Sequence, residues 1–337
     1  MKKKTELFLR GLVGTLVAAA AICSVVFLQY ATTELASAPL PIQFDLKPGS
    51  SLRSAAQEMK QTGVLSDPAR FVLMARLLGE AGNIKAGNYE IQAPVTPYRL
   101  LQKVTAGEVA QASVTFVEGW TFKQIRKVLD EHPSIAHRTS ELSDADILER
   151  LGIPEVSPEG LFFPDTYHFS IGNSDLYVLR HAYRLMQSHL NAQWEQRSPE
   201  VPLASPYQAL ILASIVEKET GSAEDRPLVA AVFVNRLRKQ MLLQADPTVI
   251  YGLGESFDGN LRKGDLVTDT PYNTYIRVGL PPTPIAMPGL ASLVATLNPP
   301  DSEALYFVAR GDGTSYFSRT LGEHERAVTK YQKSGKR

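Results

Sequence analysis

The sequence predicts an α+β protein: an N-terminal transmembrane helix, a small α+β module and a larger mixed α/β domain. Three observations predict it. A basic N-terminus precedes a long uncharged apolar run, the pattern changes at Ile42 to strand-like alternation followed by two short amphipathic helices, and Tyr207–Val216 is apolar on nearly every side. At 337 residues, 44% hydrophobic and 21% charged, the chain has ordinary globular composition and enough length for two or three domains.

Lys2, Lys3, Lys4 and Arg10 precede an uncharged run from Gly11 to Leu28. Eighteen residues rise about 27 Å as a helix, close to a hydrocarbon core of roughly 30 Å. Residues 1–10 then read as a cytoplasmic basic segment and 11–30 as a single-pass anchor in the cytoplasmic membrane, with the rest exported to the periplasm or outside. A cleavable signal peptide would use Ala36-Ser37-Ala38, but that site lies ten residues beyond Leu28 and Pro39 would follow the cut. A lipoprotein would need Cys23, yet Ile22 precedes it and the apolar run continues after it. Cys23 is the single cysteine, so the exported part holds no disulfide and must cohere by packing.

Residues 31–41 read as a linker, and 42–92 as the small module. Ile42-Gln43-Phe44-Asp45-Leu46 alternates like a strand, Lys47-Pro48-Gly49 turns, and Ser50 or Ser51 caps a helix carrying Leu52, Ala55, Ala56 and Met59. A second helix, capped near Ser66-Asp67-Pro68, carries Phe71, Val72, Met74, Ala75, Leu77 and Leu78, and Lys85–Ile91 turns into a closing strand. Strand, helix, helix, strand over this length resembles a LysM domain, which binds N-acetylated sugars. The resemblance lies in topology and length, and a plain packing module without a sugar site has the same order. Residues 93–112 hold a connecting helix begun by Thr96-Pro97 and carrying Leu100, Leu101 and Val104.

The larger domain is expected over 113–337. It opens on an echo of the module: Phe116-Val117-Glu118-Gly119-Trp120-Thr121-Phe122, then Ile125 and Leu129, repeats the strand, glycine turn, hydroxyl cap and amphipathic helix of Leu46–Met59. Duplication and two independent uses of common turn chemistry both explain it.

Four segments of this domain carry dense polar and aromatic residues. The helix of Tyr207–Val216 ends in Glu217-Lys218-Glu219, delivering carboxyls to the edge of a core, where burial raises an acid's pKa and suits it to proton donation. At 3.6 residues per turn Glu217 and Glu219 point about 200° apart, so they are not a natural acid and nucleophile pair. Glu217 could equally be a helix-end residue paired with Lys218 or a distant arginine. Glu159–Tyr167 brackets an apolar aromatic run with acids, Asp165 among them. Leu243–Gly252 offers Gln244, Asp246 and Thr248, with Asp246 expected to cap a helix whose first residue is Pro247. Tyr272-Asn273-Thr274-Tyr275 sets two tyrosines around an amide and a hydroxyl, groups that suit the faces and N-acetyl groups of a sugar.

Other chemistries lack their patterns. The six histidines form no metal-binding pair, there is no phosphate-binding glycine loop or nucleophile elbow, and Cys23 lies in the apolar run. Neither metal nor cofactor is expected. Net charge is zero, and omitting the first 30 residues leaves 31 basic against 34 acidic, which does not suit a nucleic-acid binder.

Ala213–Thr220, Val232-Phe233-Val234-Asn235-Arg236-Leu237, Leu243–Gly252, Tyr272–Tyr275 and Gly279-Leu280-Pro281-Pro282, in this order, closely resemble the YceG-like family of endolytic murein transglycosylases. The resemblance extends over nearly the whole chain. It implies a lyase that cuts the β-1,4 bond between N-acetylmuramic acid and N-acetylglucosamine inside peptidoglycan strands, leaving 1,6-anhydromuramic ends. It implies Glu217 as the catalytic acid, which then takes the proton of the muramic 6-hydroxyl. It further implies termination of nascent strands beside penicillin-binding synthases. Glu219, Gln244, Asp246, Thr248, Tyr272, Asn273, Thr274, Tyr275 and Asp165 are the candidate substrate contacts. A muramidase using water, and a non-catalytic glycan-binding scaffold, are the competing functions.

Overall fold

The computed structural model describes residues 2–35 and 39–333, so the Ala36-Ser37-Ala38 site lies outside the described residues. Helix α1 spans Lys2–Thr32, and its Arg10–Thr32 portion, mean hydropathy 2.4, is long and apolar enough to cross a membrane. The helix does not stop where the linker was expected to begin. Ala31 is buried, as is Leu35 beyond it, and Phe27 and Tyr30 pack against the same core.

That core belongs to the first of two compact units, which runs to Ala112 and includes Phe169–Gly172. Strand β1 (Ile42–Leu46) pairs antiparallel with β2 (Gly87–Ile91), Ile42 opposite Ile91 and Leu46 opposite Gly87. Alternation buries Ile42, Phe44 and Leu46 on one face. Between the strands run α2 (Leu52–Gln61) and α3 (Pro68–Leu77), whose first turns are capped by Ser51 on the Ser54 amide and Asp67 on the Arg70 amide. Helix α4 (Pro97–Ala106) adds Leu100, Leu101 and Val104 to this core, so it is a packed part of the unit. Tyr89, fully buried, stacks on Phe44 at 5.4 Å and donates its hydroxyl to the Lys85 carbonyl at 2.7 Å, so its polar end is satisfied.

The second unit comprises Ser113–His168 and the chain from Asn173 onwards. In chain order, β3 (Gln111–Thr115), α5 (Phe122–Asp130), α6 (Asp144–Leu151) and β4 (Thr166–Ser170) repeat the strand, helix, helix, strand order of β1 to β2, and β3 pairs with β4. The echo thus extends beyond the turn. Gly49 and Gly119 both sit at left-handed φ, 79° and 76°, and both turns lead into hydroxyl-capped helices.

Helices α7 (Asp175–Glu195), α8 (Pro206–Glu219), α9 (Arg226–Arg238), α10 (Asp246–Leu253) and α11 (Leu290–Leu297) form the rest of the unit, followed by a hairpin of β5 (Tyr306–Ala309) and β6 (Ser315–Ser318) and by α12 (Leu321–Val328). The larger domain expected as mixed α/β is mainly helical, because its sheets have two strands each and its core is built around α8. Residues Ala209–Val216 are all buried, enclosed by α7, α9, α10 and α11. A helix surface that is apolar on nearly every side and carries no charge is satisfied in this central position.

One buried acid holds the entry to α7. Asp175 Oδ2 accepts from the Arg138 and Thr139 amides at 2.7 and 2.8 Å and from the Thr139 hydroxyl at 2.8 Å, while Oδ1 accepts from the Leu176 amide. Asp175→Ala leaves these donors without an acceptor in a site closed to water, and is expected to cost about 2–4 kcal/mol. Urea unfolding measures it, and a loss below about 1 kcal/mol would show that the 136–139 loop relaxes to other partners.

Candidate active site

The last turn of α8 carries Glu217, half-buried, toward the start of α11. Its Oε2 accepts from the Gly289 amide at 3.0 Å and from the Ser292 hydroxyl at 2.7 Å. Gly289 is the N-cap residue of α11, so the carboxyl of one helix end occupies the unpaired donors at the start of another. The uncharged body of α8 fixes the direction from which Glu217 arrives. Farther back on the same face, the Ser214 hydroxyl accepts from the Ile285 amide at 3.0 Å and ties α8 to the segment leading into α11.

A third segment closes on this junction. The Gly119 amide donates to the Met287 carbonyl at 2.8 Å and the Met287 amide to the Trp120 carbonyl at 2.7 Å, a pair of backbone bonds between the 118–120 turn and the segment before α11. Lys218 Nζ donates to the Gly119 carbonyl at 3.2 Å. Glu118, at the start of that turn, lies against Gly289, its carboxyl filling the space that a Cβ there would take. Burial raises the Glu118 carboxyl above its ordinary value, the charge of Glu217 adds to the rise, and Arg226 opposes it.

Next to this junction a cleft of about 860 Å³ is lined by Phe122, Glu159, Lys218, Tyr251, Tyr272 and Ile285 among others. Its lining includes Lys218, adjacent to Glu217, rather than Glu217 itself. Glu159 is 5% exposed; its Oε1 accepts from the Phe122 amide at 3.0 Å and its Oε2 from the Tyr251 hydroxyl at 3.2 Å. Burial pushes its carboxyl up to about 7 against those two hydrogen bonds. Tyr251 meets Tyr272 edge-on at 4.8 Å, and the Tyr272 hydroxyl pairs with that of Thr283 at 2.9 Å. Two rings with anchored hydroxyls give the cleft a firm aromatic wall.

Glu219 leaves α8 toward other partners, as helical geometry requires. It faces Asp246, Arg236 and Tyr275, and burial, then the charge of Asp246, push its carboxyl up to about 8, with Arg236 opposing. The Tyr275 hydroxyl donates to Asp246 at 2.5 Å. Arg236, 7% exposed, donates Nε to the Leu305 carbonyl and Nη1 to the Leu243 carbonyl, both at 2.7 Å. A carboxyl held above its unfolded value keeps its proton in the folded state to higher pH. Its contribution to stability is therefore full below about 4.5 and is lost as pH rises toward 8. Glu159 acts in the same direction up to about 7. Glu219→Gln is expected to lose less melting temperature between pH 5 and pH 8 than the parent protein; an equal decline in both would show that Glu219 does not titrate in that window.

Several expected substrate contacts are instead occupied inside the fold. Thr248, fully buried, donates to the Ala245 carbonyl at 2.7 Å and pairs with the Thr274 hydroxyl at 2.8 Å. Thr274 accepts from the Ala245 amide at 3.0 Å, and its carbonyl accepts from the Gln244 amide. Asn273, also fully buried, donates to the Leu266 and Thr268 carbonyls and accepts from the Tyr275 amide. These three stitch the fold together, since their polar atoms are spent on backbone groups and on one another. Gln244 holds a left-handed φ of 50°, rare without glycine, with its side chain beside Arg236. Asp246 is the first residue of α10 rather than its cap, which is Ala245, because its carboxyl turns to Tyr275 instead of to the helix amides. Asp165 is exposed and its carboxyl accepts from the Thr166 amide; it is not part of the cleft lining, where Glu159 from the same segment stands. Of the expected tyrosines, Tyr272 lines the cleft and Tyr275 holds Asp246.

Glu118, Glu159, Gly289 and Ser292 were not among the expected site residues. Glu118 and Glu159 each precede a left-handed glycine, Gly119 and Gly160, and an acid before such a turn is the local signal they offered. Ser292 and Gly289 carried none, being part of a short apolar helix and its start.

Residues 44–330 match the YceG-like family. The chain is 32% identical over 309 residues to the endolytic murein transglycosylase of Bacillus subtilis (strain 168), covering 86% of this chain and 84% of that protein. It is 27% identical over 319 residues to the endolytic murein transglycosylase of Streptococcus pneumoniae, covering 85% of this chain but only 57% of that longer relative. A crystal structure of a YceG-like protein from Listeria monocytogenes is 30% identical, with a TM-score of 0.54 over 85% of this chain and 98% of the other. A family match over most of the length, with relatives and a solved structure that share both sequence and fold, means that this chain belongs to the YceG-like family.

Proposed function

We propose that this protein is a peptidoglycan lytic transglycosylase, a lyase that cuts inside glycan strands and is held in the cytoplasmic membrane by α1. Relatives named endolytic murein transglycosylase, one of them 32% identical across most of both chains, support the activity. The observation that carries the site is Glu217: a carboxyl at the end of a buried helix, held through one oxygen by the Gly289 amide and the Ser292 hydroxyl, beside an aromatic cleft.

In this reading a glycan strand lies along the cleft with sugar faces against Tyr251 and Tyr272. Glu217 donates a proton to the oxygen linking N-acetylmuramic acid to N-acetylglucosamine, and the C1–O bond breaks through an oxocarbenium-like centre. The muramic 6-hydroxyl then closes onto C1 and loses its proton to a carboxylate, giving the 1,6-anhydro end. The sugar supplies its own nucleophile, so no water is consumed. The βααβ arrangement of the first unit suits a LysM-like glycan contact. Cutting within strands next to the membrane suits termination of nascent strands beside penicillin-binding synthases.

Mass spectrometry of digested, uncrosslinked glycan tests the reaction class. Anhydro ends, each lighter by one water than a reducing end, are expected; reducing ends throughout would make the protein a muramidase, and no cleavage with retained binding would make it a scaffold.

A further inference from the structure

The proposed reaction moves two protons at two places, one onto the departing oxygen and one off the attacking hydroxyl. Glu217 is pinned through Oε2 by two donors, the Gly289 amide and the Ser292 hydroxyl, which restrain it from swinging between those places. A second carboxyl stands beside it. Glu118 packs on the Cα side of Gly289, while Glu217 takes the amide of that residue, so the two acids lie against one glycine. Glu118 is held there by the two backbone bonds between its turn and Met287, by the left-handed Gly119 that follows it and by Lys218 on the Gly119 carbonyl. Unlike Glu159, it is exposed and open to a substrate.

We propose that Glu118 is the second catalytic carboxyl of this centre, the base that takes the proton from the attacking 6-hydroxyl while Glu217 serves as the acid. The proposal rests on the reading of Glu217 given above. The Glu217 proton passes to the glycosidic oxygen as the C1–O bond breaks. The 6-oxygen bonds to C1, and its proton passes to Glu118. The turn ends with Glu118 protonated and Glu217 ionised, and one proton moved from Glu118 to Glu217, directly or through water, restores the starting state. The charged groups acting on Glu118 are Glu217 on α8 and Arg226 on α9, with Lys218 of α8 held on the carbonyl of the following Gly119. Burial and the neighbouring Glu217 charge raise its basicity, which favours a base.

The test uses the full-length protein in detergent on uncrosslinked glycan, with Glu118→Gln, Glu118→Ala and Glu217→Gln compared. Glu118→Gln is expected to keep its melting temperature and KM and to lose about 10²–10⁴-fold in kcat. Its residual rate should lack the fall toward acid pH that the parent protein shows as Glu118 is protonated, and formate should restore part of the rate of Glu118→Ala. A kcat within about twofold of the parent, alongside an inactive Glu217→Gln, would overturn the base role and leave the acid in place. A loss that formate does not restore, with an unaltered pH profile, would overturn it in favour of a merely structural Glu118. An active Glu217→Gln would instead remove the reading on which the proposal rests.

Discussion

Glu217→Gln is expected to reduce cleavage of uncrosslinked glycan by about 10³-fold or more in kcat while leaving glycan binding nearly unchanged. The amide keeps the size of the acid and can still accept from the Gly289 amide and the Ser292 hydroxyl through its oxygen, so the junction of α8 and α11 remains. What it lacks is a proton to give. Single-turnover rates with labelled strands, paired with a binding isotherm for the same strands, separate the two effects. Full activity would displace the acid to Glu118 or Glu159, two carboxyls at this end of the unit that are raised above their ordinary value. Equal loss of binding and rate would mean that Glu217 holds the strand rather than acting on the bond.

Arg236→Met is expected to cost about 3–5 kcal/mol of stability. The guanidinium crosses from α9 to three carbonyls, those of Leu305, Leu243 and Leu242, and stands 5.2 Å from the centre of the Tyr306 ring. Methionine fills much of the volume but leaves the carbonyls unpaired in a region closed to water. It also removes the cation that opposes the rise of Glu219, so that acid should hold its proton to still higher pH. Urea unfolding at neutral pH reads the first effect and the pH dependence of melting reads the second. A cost under about 1 kcal/mol would show that water reaches those carbonyls once the side chain is shortened.

These two residues mark how differently the site was legible. Glu217 could be read in the sequence because α8 is uncharged until its last turn, and a helix that must be enclosed delivers whatever ends it to a core edge. Its separation from Glu219 followed from helical geometry alone, and the two do face different partners. The small unit was legible for a similar reason: period-two burial in β1, hydroxyl or carboxyl caps on α2 and α3, and turn glycines are all local rules. Thr248, Asn273 and Thr274 misled because hydroxyls and amides that suit a sugar suit backbone carbonyls equally well, and only burial distinguishes the two uses.

By itself the sequence determined the apolar N-terminal helix, the order of strands and capped helices, the central burial of α8 and the family to which the chain belongs. Each depends on residues within a few turns of one another or on motifs in order along the chain. Tertiary structure decided which acids meet. Glu118, Glu217 and Gly289 are separated by some 70 to 170 positions, and their convergence depends on how α8, α11 and the 118–120 turn pack. Burial and a neighbouring charge, which set the proton affinity of such acids, exist only once that packing has formed.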